Sequence, residues 1–180
     1  MKILIASDIH GSIKYCKQLF SAAKREEVDK ILLLGDLLYH GPRNDLPDEY
    51  APKEVISLLN QHKDMIFAVR GNCDTEVDQM VLDFPILADY CIIPIKNRIM
   101  YATHGHIYNT KNLPNINRGD IILNGHTHVT AFECREDLYY FNPGSVSIPK
   151  ENTQRGYILL EDSKFIWKTL EGNILKEILL

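Results

Sequence analysis

The sequence has few cysteines, and they are widely separated. Its 180 residues contain four cysteines, at positions 16, 73, 91 and 134, and no two of them form a CxxC pair. This scatter argues against a structural zinc knuckle. A disulfide framework is also not expected at this length, so we expect a reducing compartment, the cytoplasm.

Long apolar runs and an excess of basic residues are also missing. The first apolar run, residues 3–6, is far too short for a signal peptide or a membrane span. Lysine and arginine number 20 against 24 acidic residues, which gives a net charge of -4. A general nucleic-acid binder would carry a basic excess. We therefore expect no membrane segment and no general nucleic-acid binding.

The first half of the chain repeats a strand, loop and helix unit. Short apolar runs of this kind are typical of strands buried on both faces. Ser12 suits the cap of the first helix and Pro52 the first turn of the second, while Pro85 limits residues 75–88 to one short helix and a loop. Three such units predict a largely parallel sheet with right-handed crossovers. The predicted strands are residues 3–6, 31–34 and 66–69.

The second half is richer in short strands separated by tight turns, a pattern that favours antiparallel pairing. Hydrophobic residues make up 45% of the chain, enough for one continuous core. These observations predict an α/β fold in a single domain of residues 1–180, a four-layer αββα sandwich with two mixed β-sheets flanked by helices. The predicted strands are residues 91–95 and 99–102, which form a hairpin, then 121–123, 129–134, 138–141, 156–160, 165–170 and 174–179.

Five of the apolar strands end in side chains that bind metals. Each of these residues alone has a simpler explanation, such as a turn or a surface histidine. The carboxyl ends of strands in open α/β sheets form a common crevice, so all five endings together predict a metal site. In an extended segment His126 and His128 would point to the same side. The candidate ligands are Asp8, His10, Asp36, Asn72, His104, His126 and His128.

The number and type of these ligands indicate two ions. Two or three oxygen ligands and four imidazoles exceed the roughly four to six ligands that one ion uses. Oxygen and nitrogen ligands without thiolate favour manganese, zinc, iron or nickel over calcium or copper(I). One carboxylate would bridge two ions about 3.5–4 Å apart. Such a pair of ions would polarise a phosphoryl group and lower the pKa of a bridging water. The residues therefore predict hydrolysis of a phosphate ester.

The same motifs resemble those of the calcineurin-like metallophosphoesterases, in particular the YfcE-type bacterial phosphodiesterases. The resemblance covers almost the whole chain, and the loop at residues 40–44 is similar to the YfcE type. The motifs are Asp8-Ile9-His10, Gly35-Asp36, Gly71-Asn72-Cys73-Asp74, Thr103-His104-Gly105-His106, Gly125-His126-Thr127-His128 and Asn142-Pro143-Gly144-Ser145.

The resemblance implies a ligand assignment and a reaction. It implies a first ion held by Asp8, His10 and His128, a second held by Asn72, His104 and His126, and a bridge by Asp36. By the same resemblance, a metal-bridging hydroxide attacks a small phosphodiester in line with the leaving alkoxide. Two divalent ions are then expected as cofactors, with Mn²⁺ preferred and Ni²⁺, Zn²⁺, Fe²⁺ and Mg²⁺ as alternatives. The catalytic residues among the ligands are Asp36, Asn72 and His104.

Cys73 departs from the pattern of much of this superfamily, which has a histidine at that position. This leaves the general acid open. His106, His40 and a water molecule are the candidates. The alternative for each histidine is a structural or solvent-facing role. Cys73 itself is expected to be a packed residue beside the substrate, because a two-metal reaction needs no covalent nucleophile.

The remaining predictions concern substrate binding and the orientation of the metal ligands. Arg43, Asn72 and Cys73 are the candidate substrate-binding residues, although Arg43 also fits an ordinary surface position. Asp74 is expected to accept a hydrogen bond from a ligand imidazole.

Three alternatives stay open at this point. The substrate of the same site could be a phosphomonoester, a phosphoprotein or a nucleotide, although 180 residues leave little room for large specificity insertions. A binding scaffold of the same fold, similar to a retromer subunit, is the non-catalytic alternative. Exposed edge strands leave a homodimer or a higher homo-oligomer open as well.

Overall fold

Two mixed β-sheets carry the fold in the computed structural model, which describes residues 1–135 and 138–180. The strands are β1 (Lys2–Ala6), β2 (Lys30–Leu33), β3 (Ile66–Ala68), β4 (Tyr90–Ile95), β5 (Arg98–Thr103), β6 (Ile121–Leu123), β7 (Thr130–Arg135), β8 (Leu138–Pro143), β9 (Gly156–Glu161), β10 (Lys164–Thr169) and β11 (Ile174–Leu179). The helices are α1 (Ile13–Glu26), α2 (Pro52–Gln61) and α3 (Glu76–Gln79), with a 3₁₀ turn at Lys63–Met65.

The first sheet joins strands from both ends of the chain. Its order is β11-β10-β9-β1-β2-β3. The strands β1, β2 and β3 are parallel, as predicted, whereas β9, β10 and β11 pair antiparallel to their neighbours. The fold class of two mixed sheets is therefore confirmed.

The second sheet has the order β4-β5-β6-β8-β7. The predicted hairpin of β4 and β5 is confirmed. The expectation of antiparallel pairing after residue 129 is wrong for β8, which pairs in parallel with β6 and antiparallel with β7. An apolar strand pattern does not identify the partner, because the alternation of side chains is the same in either pairing direction.

The alternation of side chains along β1 shows how the sheets and helices share the core. Ile3 and Ile5 lie in the cluster between the two sheets, whereas Leu4 and Ala6 lie in the cluster under α1 and α2. Burial of each large aliphatic side chain contributes about 1.5–3 kcal/mol. A strand buried on both faces is therefore a continuous apolar run, which is what the sequence shows.

The helices follow their predicted signals. The Ser12 side chain caps α1 by accepting a hydrogen bond from the backbone N–H of Tyr15 at 3.4 Å, and Pro52 begins α2. The short helix α3 and the loop that follows it are also as predicted. Across the outer face of the second sheet, Tyr101 Oη donates to the carbonyl of Asn115, so a loop segment covers this face in the described residues. No helix within residues 1–135 and 138–180 is long and apolar enough to cross a bilayer.

The candidate ligands lie at one edge of this arrangement. The strands β1, β2 and β3 end there in the first sheet, and β5 and β6 end there in the second. Parallel strands bring the residues that follow them to the same edge. The sheet topology therefore brings together loops that are distant in sequence.

Candidate metal centre

Asp8, His10 and His128 converge in one buried group. The Oδ1 atom of Asp8 lies 3.2 Å from Nε2 of His128 and 3.5 Å from Nε2 of His10. The two Nε2 atoms are 3.2 Å apart, and no residue of the three is more than 3% exposed. Three ligand atoms therefore surround one small volume.

The hydrogen bonds of His10 and His128 leave their inner nitrogens free. Nδ1 of His10 donates to the carbonyl of Tyr39 at 2.7 Å, and Nδ1 of His128 donates to the carbonyl of Ile148 at 2.8 Å. In the neutral rings each Nε2 then presents a lone pair. Asp8 Oδ1 is buried and accepts no hydrogen bond from the described residues. A bound cation would satisfy all three atoms, so the group fits a metal ion.

The charge of Asp8 suits this role. Burial alone would raise the pKa of the carboxyl group, but the adjacent His10 and His128 rings hold that pKa well below its usual range. The Oδ2 atom also accepts a hydrogen bond from the backbone N–H of His126 at 3.0 Å. Asp8 is therefore ionised at neutral pH and is held in place by the loop after β6.

His104, His126 and Asn72 form a second group. Nε2 of His104 lies 3.1 Å from Nδ1 of His126 and 3.1 Å from Oδ1 of Asn72. Nδ1 of His104 donates to the carbonyl of Leu34 at 2.7 Å, which again leaves Nε2 facing inward. Burial, with the nearby His104, lowers the pKa of His126 to about 4. A neutral His126 is the form that binds metal.

Asp36 lies between the two groups. Its Oδ2 atom is 3.7 Å from Nε2 of His10 and 3.5 Å from Nε2 of His104. Its Oδ1 atom accepts a hydrogen bond from the backbone N–H of Cys73 at 2.8 Å. Asp36 is thus fixed by one oxygen and directs the other towards histidines of both groups.

Most of these residues have a left-handed backbone, which was not expected. This conformation is uncommon outside glycine, although aspartate and histidine adopt it more readily than other residues. The prediction that His126 and His128 share an extended segment is wrong, because each turns the chain separately while Thr127 between them is exposed. The left-handed residues are Asp8 (φ 59°), His10 (φ 49°), Asp36 (φ 55°), His126 (φ 67°) and His128 (φ 60°).

Asp74 supports the backbone of the site. Its Oδ2 atom accepts hydrogen bonds from the N–H groups of Asp36 and Gly71, both at 2.8 Å, and Oδ1 accepts from Leu37 at 2.9 Å. The prediction that Asp74 orients a ligand imidazole is wrong, because backbone carbonyls bind the outer nitrogens of His10, His104 and His128. The single carboxylate joins the loops after β2 and β3.

Glycine is required where the strand-end loops approach one another. A Cβ atom at Gly71 would overlap Oδ1 of Asp36, and one at Gly125 would overlap Oγ of Ser7. Any side chain at these positions would push the ligand loops apart. The glycines of the two motifs are therefore explained by close contact with the metal centre.

The hydroxyl groups of Ser145 and Ser147 hold Asp8 from the opposite side. Both donate to the backbone carbonyl of Asp8, at 2.8 Å and 3.0 Å. Sequence reasoning identified residues 142–145 as a supporting segment but did not include Ser147. The alternating serines after the Asn-Pro-Gly turn were the signal available for it.

An open cleft of about 330 Å³ lies over the cluster. The predicted substrate-binding residues Arg43, Asn72 and Cys73 all line it. Lys150 lines it too and was missed, because it lies outside every motif and only the turn after β8 brings it close. Two basic side chains therefore face a cleft that also contains the candidate metal ligands.

The environment of Cys73 favours a protonated thiol. Burial raises its pKa, and the nearby Asp36 carboxylate raises it further. Its Sγ atom accepts a hydrogen bond from Nδ2 of Asn72 at 3.2 Å. The side chain therefore contacts a candidate ligand and lacks the thiolate character of a nucleophile.

The two candidate general acids differ in position. The ring of His106 lies 5.4 Å from that of His104, measured between centroids. The ring of His40 instead packs against Tyr39 at 4.8 Å and edge-on against Tyr50 at 5.3 Å. Among the described residues, neither ring lines the cleft over the cluster, but only His106 packs against a candidate ligand. His106 is therefore the better placed of the two.

Comparison with known proteins gives a consistent family. Residues 1–164 match the model of the calcineurin-like phosphoesterase superfamily domain. Phosphodiesterase YfcE of Escherichia coli K12 is 43% identical over 162 residues, which are 90% of this chain and 88% of that protein. Phosphodiesterase MJ0936 of Methanocaldococcus jannaschii is 26% identical over 152 residues, 80% of this chain and 83% of that protein.

A solved structure agrees with the sequence match. The structure of Yfce, a phosphoesterase from E. coli, superposes with a TM-score of 0.95 at 40% identity and covers 99% of each chain. The sandwich of two mixed sheets is common to both. From these matches and its strand-end motifs, the chain belongs to the calcineurin-like phosphoesterase superfamily.

Proposed function

We propose that this protein is a phosphodiesterase that hydrolyses small phosphodiesters at a centre of two divalent metal ions. The observation that carries the proposal is the pair of inward-facing ligand groups with Asp36 between them. The identity of 43% with an E. coli protein named phosphodiesterase YfcE supports the type of ester.

The seven candidate ligands divide between the two ions. Asp8, His10 and His128 would hold one ion, and Asn72, His104 and His126 would hold the other, with Asp36 shared. Oxygen and imidazole ligands suit Mn²⁺, and also Ni²⁺, Zn²⁺, Fe²⁺ and Mg²⁺. When bound, such a pair lowers the pKa of water and polarises the phosphoryl group for in-line attack.

The side chains of the open cleft position the substrate. Arg43 and Lys150 supply positive charge for the phosphoryl oxygens, and Arg43 can form two parallel hydrogen bonds. Asn72 contacts Cys73 through its amide nitrogen and so keeps Oδ1 directed at His104. His106 or a water molecule donates a proton to the oxygen of the leaving alkoxide, and no covalent intermediate on Cys73 is required.

A metal-resolved assay tests this function. The protein is stripped with a chelator and supplied with Mn²⁺, Ni²⁺, Zn²⁺ or Mg²⁺. Turnover of bis(p-nitrophenyl) phosphate is then compared with that of p-nitrophenyl phosphate. We expect no turnover without metal and faster turnover of the diester. Faster turnover of the monoester would favour a phosphomonoesterase, and inactivity with every metal would favour a binding scaffold.

A further inference from the structure

A second cleft, of about 300 Å³, lies beside the metal centre. Gly105, His106 and Thr110 of the segment after β5 line it together with Asn124 after β6 and Tyr140 of β8. It shares His126 and Thr127 with the open cleft that contains Arg43. A molecule bound at the metal centre can therefore extend into this second cleft.

Asn124, which lines the second cleft, has an unpaired acceptor. The residue is only 2% exposed, and its backbone N–H donates to the carbonyl of Phe141 at 2.9 Å. Its Nδ2 donates to the carbonyl of Tyr108 at 2.9 Å, which fixes the orientation of the amide. Within residues 1–135 and 138–180, no donor contacts its buried Oδ1. A buried acceptor left without a donor costs about 1–3 kcal/mol, so a ligand that supplies one gains affinity.

His106 adds a second unpaired group to the same cleft. Its Nδ1 is buried and has no hydrogen-bond partner in the described part of the chain. Imidazole nitrogen donates or accepts according to the tautomer, and a hydroxyl group can match either. The side chain of Thr110 is exposed at this cleft. Apart from Lys111, the polar side chains of the lining are neutral hydrogen-bonding groups, which suit hydroxyl groups.

We propose that the second cleft binds one alcohol arm of the phosphodiester and selects an arm that carries a further hydroxyl group, as in a polyol or a sugar. This rests on the proposed function, since the phosphoryl group must lie at the metal centre. A hydroxyl on that arm donates to Oδ1 of Asn124, while the leaving alcohol lies on the other side of the phosphorus. Diesters with purely aliphatic arms leave the acceptor unpaired and bind less well.

Two chromogenic substrates with one leaving group test the selection. In p-nitrophenyl glyceryl phosphate and p-nitrophenyl propyl phosphate, the retained arms differ only by two hydroxyl groups. We expect the wild type to prefer the glyceryl substrate in kcat/KM. Asn124→Ala should reduce this preference by about three- to tenfold, the value of one net hydrogen bond. The bound metal of the variant should equal that of the wild type.

Substitutions at two exposed positions provide a second test, because they should leave the fold intact. Thr110→Trp places a large ring in the second cleft and should also reduce the glyceryl preference. Val77→Trp, at a residue 68% exposed beside a different pocket, is the matched control and should leave the preference unchanged.

Three outcomes would count against these ideas. Equal preference in the wild type, Asn124→Ala and Thr110→Trp, with both substrates still hydrolysed, would overturn the hydroxyl subsite alone. A loss of preference in Val77→Trp but not in Thr110→Trp would place the arm in another pocket and overturn it too. Absence of metal-dependent turnover of either diester would instead overturn the proposed function.

Discussion

The Nε2 atoms of His10 and His128 face each other at 3.2 Å, although 118 positions separate these residues in the chain. Both rings donate their outer N–H to a backbone carbonyl, so two lone pairs meet in a buried space. Their mutual repulsion is relieved when a cation lies between them. Nε2 of His104 and Nδ1 of His126 also face each other, at 3.1 Å.

Single-histidine variants should separate the two proposed ions. His128→Ala removes a ligand of the first group and His126→Ala one of the second, so each should lower the bound metal from about two ions per chain towards one. Elemental analysis of the purified variants measures this. His62→Ala is the control, because its ring stacks on Phe20 at 4.5 Å and does not line the cleft. Full retention of metal in His126→Ala would contradict the assignment.

Asp36→Asn should affect both ions. The amide preserves the shape of the side chain and can still accept from the Cys73 N–H, but it removes the negative oxygen between His10 and His104. We expect diester turnover to fall by more than about 100-fold, with loss of metal from both groups. Wild-type turnover with two bound ions would disprove the bridging role.

Cys73→Ser should remain active. The raised pKa of the Cys73 thiol, caused first by burial, is unfavourable for a nucleophile, and serine can still accept from Asn72. Turnover within about tenfold of the wild type is expected in steady-state assays. If the variant were inactive with its metal content intact, a chemical role for the thiol would have to be reconsidered.

Asp74→Asn should destabilise the fold. The carboxylate accepts three buried backbone N–H groups, and an amide nitrogen cannot accept, so at least one donor loses its partner. The free energy of unfolding should fall by about 2–4 kcal/mol in urea denaturation. Asp45→Asn, at an exposed position, is the control and should change it by less than about 0.5 kcal/mol. Equal stabilities would show that Asp74 does not hold these loops.

Glu26 should contribute stability that depends on pH. Burial raises its pKa, but hydrogen bonds from Lys168 at 2.6 Å and Tyr157 at 2.8 Å outweigh this and lower the pKa below its usual value. Because the pKa is lower in the folded state, the stabilisation is complete above the unfolded pKa and disappears as the pH falls through the folded value. Glu26→Gln should lose about 1 kcal/mol at pH 7 and match the wild type at acidic pH. A difference independent of pH would contradict this.

The candidate ligands that follow the apolar strands could be identified from the sequence. Residues such as Asp8, Asp36 and His104 follow strands that are continuous apolar segments. A strand buried on both faces is apolar at successive positions, because both sets of side chains lie in the core. The parallel pairing of β1, β2 and β3 follows from the helices between them. The motifs also identified the family before any contact was known.

Only the tertiary structure decided how these residues combine. Strand periodicity does not specify that β9, β10 and β11 extend the first sheet, because partner choice depends on long-range packing. The three N–H groups bound by Asp74, the presence of Lys150 in the cleft and the unpaired Oδ1 of Asn124 arise where loops from different strands meet. The sequence therefore determined which chemical groups lie at the strand ends, and the packing of the two sheets decided which of them face one another.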